Sequence, residues 1–251
     1  MGKIKSIVIF SLLIASIAVI VFGQHRWSNM NSNFKSRTIE AASSPKKKEV
    51  NYYKEGRGEL KYVAIGDSLT AGLFADKEDE RFCNVLSTKI SEEMGYDVKL
   101  EKIGTPGGTL GGGLDSLSVI NKSKPDFVSI EFGTNDLNNE NNVPVETFKS
   151  QLNELIDGIQ EGRKEEVKFV LVTTWNQGKK GLEFDKAIKE VGDDRKIPVA
   201  NIATIWNNSS TKGPEGRETF IGLSDNWHPN TKGHKLIAEK IYLAARDELN
   251  L

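Results

Sequence analysis

The chain has 251 residues, 37% of them hydrophobic and 27% charged, with a net charge of -1. That length bounds one substantial domain with its own core, and near-neutral charge without a basic run interleaved with aromatics argues against a nucleic-acid partner. Cys83 is the sole cysteine, which excludes an intrachain disulfide and a four-cysteine zinc site.

Lys3 and Lys5 precede an uncharged stretch from Ser6 to Gly23, rich in Ile, Val, Leu, Ala and Phe. Residues 1–23 are expected to be either an uncleaved membrane anchor with its positive end inside, or a secretory signal cleaved near Val21-Phe22-Gly23. Both readings export the rest of the chain, leaving it anchored outside the membrane or secreted. Residues 24–58 are polar and aperiodic and read as a linker, with Lys46-Lys47-Lys48 solvating it. The globular domain is then 59–251.

Within that domain strand-like and helical patterns alternate. Strands are predicted over 61–65, 98–103, 127–131, 167–173 and 199–202. Helices are predicted over 81–94, 114–120, 145–160, 184–191 and 231–249, with a glycine-dense loop running from 104 to 113. Cys83 sits in the apolar pattern of the first helix and reads as a buried thiol. Alternation of this kind implies βαβ units: a three-layer α/β/α sandwich around a five-stranded parallel sheet. Ligands in such sheets bind beyond the C-terminal strand ends. Ser68, Gly104–Gly108, Asn135 and Trp175 each fall just past a predicted strand end, and so share one rim.

Four segments on or near that rim carry chemistry. Gly66-Asp67-Ser68-Leu69 supplies a serine, which taken alone is as readily a helix cap as a nucleophile. Asp225-Asn226-Trp227-His228 supplies an acid three residues before a histidine, an arrangement that also suits a turn cap. Of the three histidines, His25 lies in the linker and His234 in the last helix, so His228 is the candidate base. Asp225 can accept from its Nδ1–H, leaving Nε2 to take the serine proton. Gly133-Thr134-Asn135-Asp136 puts a side-chain amide at a strand end. The loop Gly104-Thr105-Pro106-Gly107-Gly108-Thr109 can present backbone N–H groups, while its spacing fits neither a P-loop nor a dinucleotide fingerprint.

With these segments in order, the region from Leu60 to Ala245 resembles the SGNH, or GDSL, family of esterases and lipases. The resemblance implies a flavodoxin-like fold, with Ser68 as nucleophile and Asp225 and His228 completing a triad. It implies an oxyanion hole made by Ser68, Gly107 and Asn135. The glycine block departs from the family pattern at Lys102, which leaves Gly104 and Gly108 as alternative donors. The implied activity is hydrolysis of a carboxylic ester through an acyl-enzyme, needing no metal or organic cofactor. The ester is an acylated lipid, thioester or carbohydrate, with Trp175 and Trp227 as candidate walls for it and Trp206 read as core or pocket. The alternative class is a non-catalytic carbohydrate- or lipid-binding module on the same fold.

Overall fold

Five apolar runs form one parallel sheet in the computed structural model, which describes residues 56–175 and 178–250. The anchor or signal at 1–23 and the linker up to residue 55 lie outside the described residues. Among the described residues no helix is long and apolar enough to cross a membrane. The chain runs β1 (Glu59–Gly66), α1 (Ser68–Ala71), α2 (Phe82–Met94), β2 (Asp97–Gly104), α3 (Leu110–Leu114), α4 (Leu117–Ser123) and β3 (Phe127–Glu131). It continues through α5 (Val145–Gln160), β4 (Lys168–Val172), α6 (Lys179–Arg195), β5 (Val199–Ala200) and α7 (Ala203–Trp206). It ends with β6 (Glu218–Thr219), β7 (Gly222–Leu223) and α8 (Thr231–Leu249).

The sheet order is β2-β1-β3-β4-β5. Because side chains alternate across a strand, each strand feeds two cores. Leu60, Tyr62 and Ala64 of β1, with Val170 and Val172 of β4, pack against Phe82, Leu86 and Ile90 of α2 and Ile237, Ile241 and Ala245 of α8. Val63, Ile65, Val128, Ile130 and Leu171 point the other way, onto Phe148, Leu152 and Leu155 of α5 and Phe184 and Ile188 of α6. Helix α5 buries Phe148, Leu152, Leu155, Ile156 and Ile159, a stripe at three- and four-residue intervals. Each such side chain contributes about 1.5–3 kcal/mol on burial. The expected three-layer sandwich is therefore present.

The strand order reverses direction between β1 and β3, so their C-terminal ends open a crevice. Ser68 follows β1 and Asn135 follows β3, which places both at its mouth.

Local differences from the sequence reading have physical causes. The glycine-dense loop closes into α3 because Asp136 Oδ1 accepts Leu110 N–H at 3.0 Å and Thr109 Oγ1 caps Gly112 N–H at 3.4 Å. The helix expected at 114–120 is accordingly two short helices. Helix α6 extends well beyond 184–191, because the apolar stripe marks only its buried middle. Strand β5 stops at Ala200, since Ile202 N–H leaves the ladder for Thr173 Oγ1 at 3.0 Å. The β6–β7 hairpin, two residues per strand, has too little periodicity to read from sequence. Cys83 is buried as expected, and burial pushes its thiol up to about 12.

Gly104 ends β2 directly against the α1 turn, where an added Cβ would collide with the backbone of Thr70 and Ala71. Gly104→Ala should therefore destabilise the protein by about 1–3 kcal/mol, read as a lowered urea midpoint. Wild-type stability in that variant would contradict the close approach.

Candidate active site

Strand β1 ends at Gly66, and the next residue, Asp67, caps α1 by accepting Leu69 N–H on Oδ1 at 2.9 Å. This puts Ser68 at the first helical position, 5% exposed, with its hydroxyl at the crevice. An N–H at that position has no intrahelical acceptor, and that of Ser68 has no partner among the described residues. The serine carbonyl accepts Gly72 N–H at 3.1 Å and Leu73 N–H at 3.0 Å, which closes the turn.

The segment before α8 supplies the rest of a relay. One oxygen of Asp225 accepts Trp227 N–H at 2.9 Å and His228 N–H at 2.8 Å, while the other meets His228 Nδ1 at 2.7 Å. Asp225 is thus both the turn cap and the imidazole partner, the two roles that its spacing suggested. His228 Nε2 lies 3.0 Å from Ser68 Oγ. The serine hydroxyl has one hydrogen, and the alternative acceptor, Asp67 Oδ1, is farther at 3.4 Å.

Burial holds the His228 pKa below its ordinary value, partly offset by Asp225. Burial opposes ionisation of Asp225 as well, but the backbone and ring hydrogen bonds of His228 outweigh it and leave the carboxyl below the usual range. The result is a neutral imidazole beside an ionised acid at neutral pH. Two rings stand edge-on to the imidazole: Trp227 with centroids 4.7 Å apart and Phe74 at 5.1 Å. Phe74 has φ 68°, in the left-handed region that aromatic residues rarely occupy, and such strain costs about 1–3 kcal/mol. No sequence signal marked it, because no local rule places a phenylalanine there.

The candidate oxyanion donors divide. Gly108 N–H is used by Thr105 O at 2.8 Å, and Gly104 lies in the β1–β2 ladder opposite Gly66. Gly107 is exposed, with φ 76° that glycine tolerates, and its N–H has no partner among the described residues. Asn135 is held by its neighbours: Asp136 accepts Gly133 N–H at 3.1 Å as well as Leu110 N–H, tying the turn after β3 to α3. Both hydrogens of the Asn135 amide are engaged, one by Asp67 Oδ2 at 3.0 Å and one by Gly108 O at 3.1 Å.

The tryptophans correct one expectation. Trp175 is 0% exposed and donates its indole N–H to Trp227 O at 2.8 Å, so it supports the turn before His228 from below and offers a ligand no surface. Trp206 packs edge-on between Trp175 and Trp227. Trp227 remains partly exposed beside His228. His234, placed by sequence in the last helix, is buried, with Nε2 2.9 Å from Leu73 O and a pKa lowered by burial to about 4. Among the described residues no cluster of His, Cys, Asp and Glu could hold a metal ion.

The sequence model of the GDSL-like lipase/acylhydrolase family matches residues 62–241. A comparison with curated proteins finds no match. Solved structures with a similar fold include the psychrotrophic esterase EstA from Pseudoalteromonas sp., at 23% identity and TM-score 0.60, covering 76% of this chain and 99% of that one. Another is the lipase/acylhydrolase from Enterococcus faecalis, at 26% identity and TM-score 0.58, covering 75% and 96%. A third is the Clostridium thermocellum family 3 carbohydrate esterase, at 19% identity and TM-score 0.61, covering 76% and 97%.

His228 and the fully buried His234 should be distinguishable by NMR titration of their ring protons. His228 is expected to titrate below its ordinary ~6.5, and His234 at about 4. A midpoint for His228 above the ordinary value would show that the burial argument is wrong.

Proposed function

Because the chain belongs to the GDSL-like lipase/acylhydrolase family and is a hydrolase of ester bonds, we propose that it works as a serine esterase through an acyl-enzyme. In this reading Ser68 is the nucleophile, His228 the general base and then acid, and Asp225 the partner that fixes the imidazole tautomer. The observation that carries it is the unbroken contact chain Asp225 Oδ2–His228–Ser68 Oγ, at 2.7 and 3.0 Å. A hydroxyl is a weak nucleophile until an adjacent base accepts its proton.

As Ser68 Oγ attacks the ester carbonyl, its proton passes to His228 Nε2 and the carbonyl oxygen takes up negative charge. Ser68 N–H and Gly107 N–H, both without partners among the described residues, are the natural donors to that oxygen. Asn135 joins them by exchanging Asp67 or Gly108 for the substrate oxygen. A hydrogen bond to an oxyanion is stronger than one to a neutral carbonyl, so giving up Gly108 is repaid mostly as charge develops, which favours the transition state over bound substrate. Collapse of the tetrahedral intermediate expels the alkoxide, which takes the proton from His228. Water then enters by the same route, giving up its proton to His228 as it attacks the acyl carbon, and His228 returns that proton to Ser68 Oγ as the acid leaves. No step calls on a metal or organic cofactor.

The substrate is an acylated lipid, thioester or carbohydrate reached outside the membrane, and the support for that location is the uncharged stretch 6–23 behind Lys3 and Lys5. Nitrophenyl esters of increasing chain length sort these classes: a steep fall beyond acetate marks a small-acyl carbohydrate ester, while a rise with length marks a lipid or thioester.

Ser68→Ala should abolish labelling by a serine-directed phosphonate and lower kcat by roughly 10⁴-fold or more. Asn135→Ala should lower kcat by about 10²–10³-fold. Activity should fall as pH drops through the His228 pKa, which lies below ~6.5, and level off above it. Phosphonate labelling that survives Ser68→Ala would place the nucleophile elsewhere.

A further inference from the structure

Beneath the nucleophile turn lies a second pair of acids that acyl transfer does not use. Asp67 and Glu131, the last residue of β3, are both 0% exposed. Asp67 N–H reaches Glu131 Oε2 at 3.4 Å, which sets the two buried acids side by side, and each acts on the other's ionisation. Gly66, between them in the fold, makes room for this: an added Cβ would sit 2.8 Å from Glu131 Oε2. Among the described residues every hydrogen-bond donor to the pair is neutral. Glu131 Oε2 accepts Thr70 Oγ1–H at 3.0 Å and, weakly, Asp67 N–H at 3.4 Å, while Oε1 has no hydrogen-bond partner among the described residues. Asp67 accepts Leu69 N–H at 2.9 Å, the Asn135 amide at 3.0 Å and, at 3.4 Å, the Ser68 hydroxyl. Asp136 and Cys83, an acid and a neutral thiol, also act on the pair.

Two carboxylates packed together out of water, with no cation against them, cannot both be ionised. The donors decide which keeps the charge. Asp67 collects two good N–H donors, whereas Glu131 has one hydroxyl and an otherwise orphaned oxygen. An orphaned buried carboxyl oxygen is costly as an anion, and far less so as an O–H that donates to a neighbouring carboxylate. Burial raises both groups, Asp67 to about 6 and Glu131 well above its ordinary value, and the charge on Asp67 raises Glu131 further.

We propose that Glu131 is a neutral carboxylic acid in the working protein and a positioning residue for ester hydrolysis. Its proton is donated to Asp67, and the single negative charge left on the pair fixes the Ser68 turn and aims the Asn135 amide into the crevice. The carboxylate of Asp67 then holds one N–H of the Asn135 amide, while the other, resting on Gly108 O, is the one that the substrate oxygen recruits. The positioning part rests on Ser68 as nucleophile, and the protonation part does not.

The test pairs infrared spectroscopy with two variants. Wild-type protein at pH 7 should show the carbonyl stretch of a protonated carboxylic acid, and Glu131→Gln should lose it. Gln is isosteric, neutral and a donor, so Glu131→Gln should keep kcat within about threefold, because its hydrogen bond to Asp67 is preserved. Glu131→Ala should lower kcat about 100-fold, as expected when the reacting groups shift by about 1 Å, with KM changed far less. Absence of the band in wild-type protein overturns the protonation, whatever the nucleophile is. A folded Glu131→Gln that loses as much kcat as Glu131→Ala overturns the positioning role. Should Glu131→Ala fail to fold, the band and the Gln variant still decide.

Discussion

The contact between His228 Nε2 and Ser68 Oγ joins two segments 160 residues apart, and the rest of the site is organised to hold it. It needs both ends fixed to within a fraction of an ångström. On one side the sheet fixes Ser68: β1 delivers it to the crevice where strand order reverses, and Gly104 of β2 lets α1 sit directly on the sheet edge. On the other side Asp225 spends one oxygen on the backbone of its own turn and the other on the imidazole, so the group that orients the ring also builds its loop. The buried Trp175 props that loop through the Trp227 carbonyl. Phe74 and Trp227 dry the ring and keep it neutral.

Electrostatics extend the same constraint downwards. The site is furnished with acids at three depths: Asp225 at the mouth, then Asp67, then Glu131 under the turn. Each depth has a different supply of donors. Asp225 has backbone and ring N–H groups and remains ionised. Asp67 has enough to carry a charge despite full burial, and Glu131 does not. With Glu131 protonated as proposed, a gradient of this kind gives one fold an anion beside the imidazole and a neutral acid beneath the Ser68 turn. It also ties the nucleophile turn to the amide of Asn135, since both meet at Asp67.

Much of this was legible in the sequence. The five strands and the long helices α2, α5 and α8 showed as periodic apolar patterns because their buried faces are continuous. Ser68, Asn135, Asp225 and His228 stood out because strand ends and a single plausible histidine limit where such chemistry can be. What was hidden depended on tertiary bonds. The glycines at 111–113 become helical through Asp136, which lies over 20 residues away. Trp175 looked like a pocket wall because it follows a strand, but the layer above it, built from Trp206 and Trp227, covers it. Phe74 gave no signal at all. Glu131 did leave one, an acid closing an otherwise apolar strand, which only the position of Asp67 makes interpretable.

The central claim is that ester carbonyl carbon meets Ser68 while its oxygen meets Ser68 N–H, Gly107 N–H and the Asn135 amide. A crystal structure of the phosphonate-inhibited protein tests it most directly. The account predicts a covalent bond to Ser68 Oγ, with a phosphoryl oxygen about 2.7–3.1 Å from all three donors and the Asn135 amide turned from one of its resting acceptors. An adduct on another residue, or an oxygen directed away from Gly107 and Asn135, would contradict it.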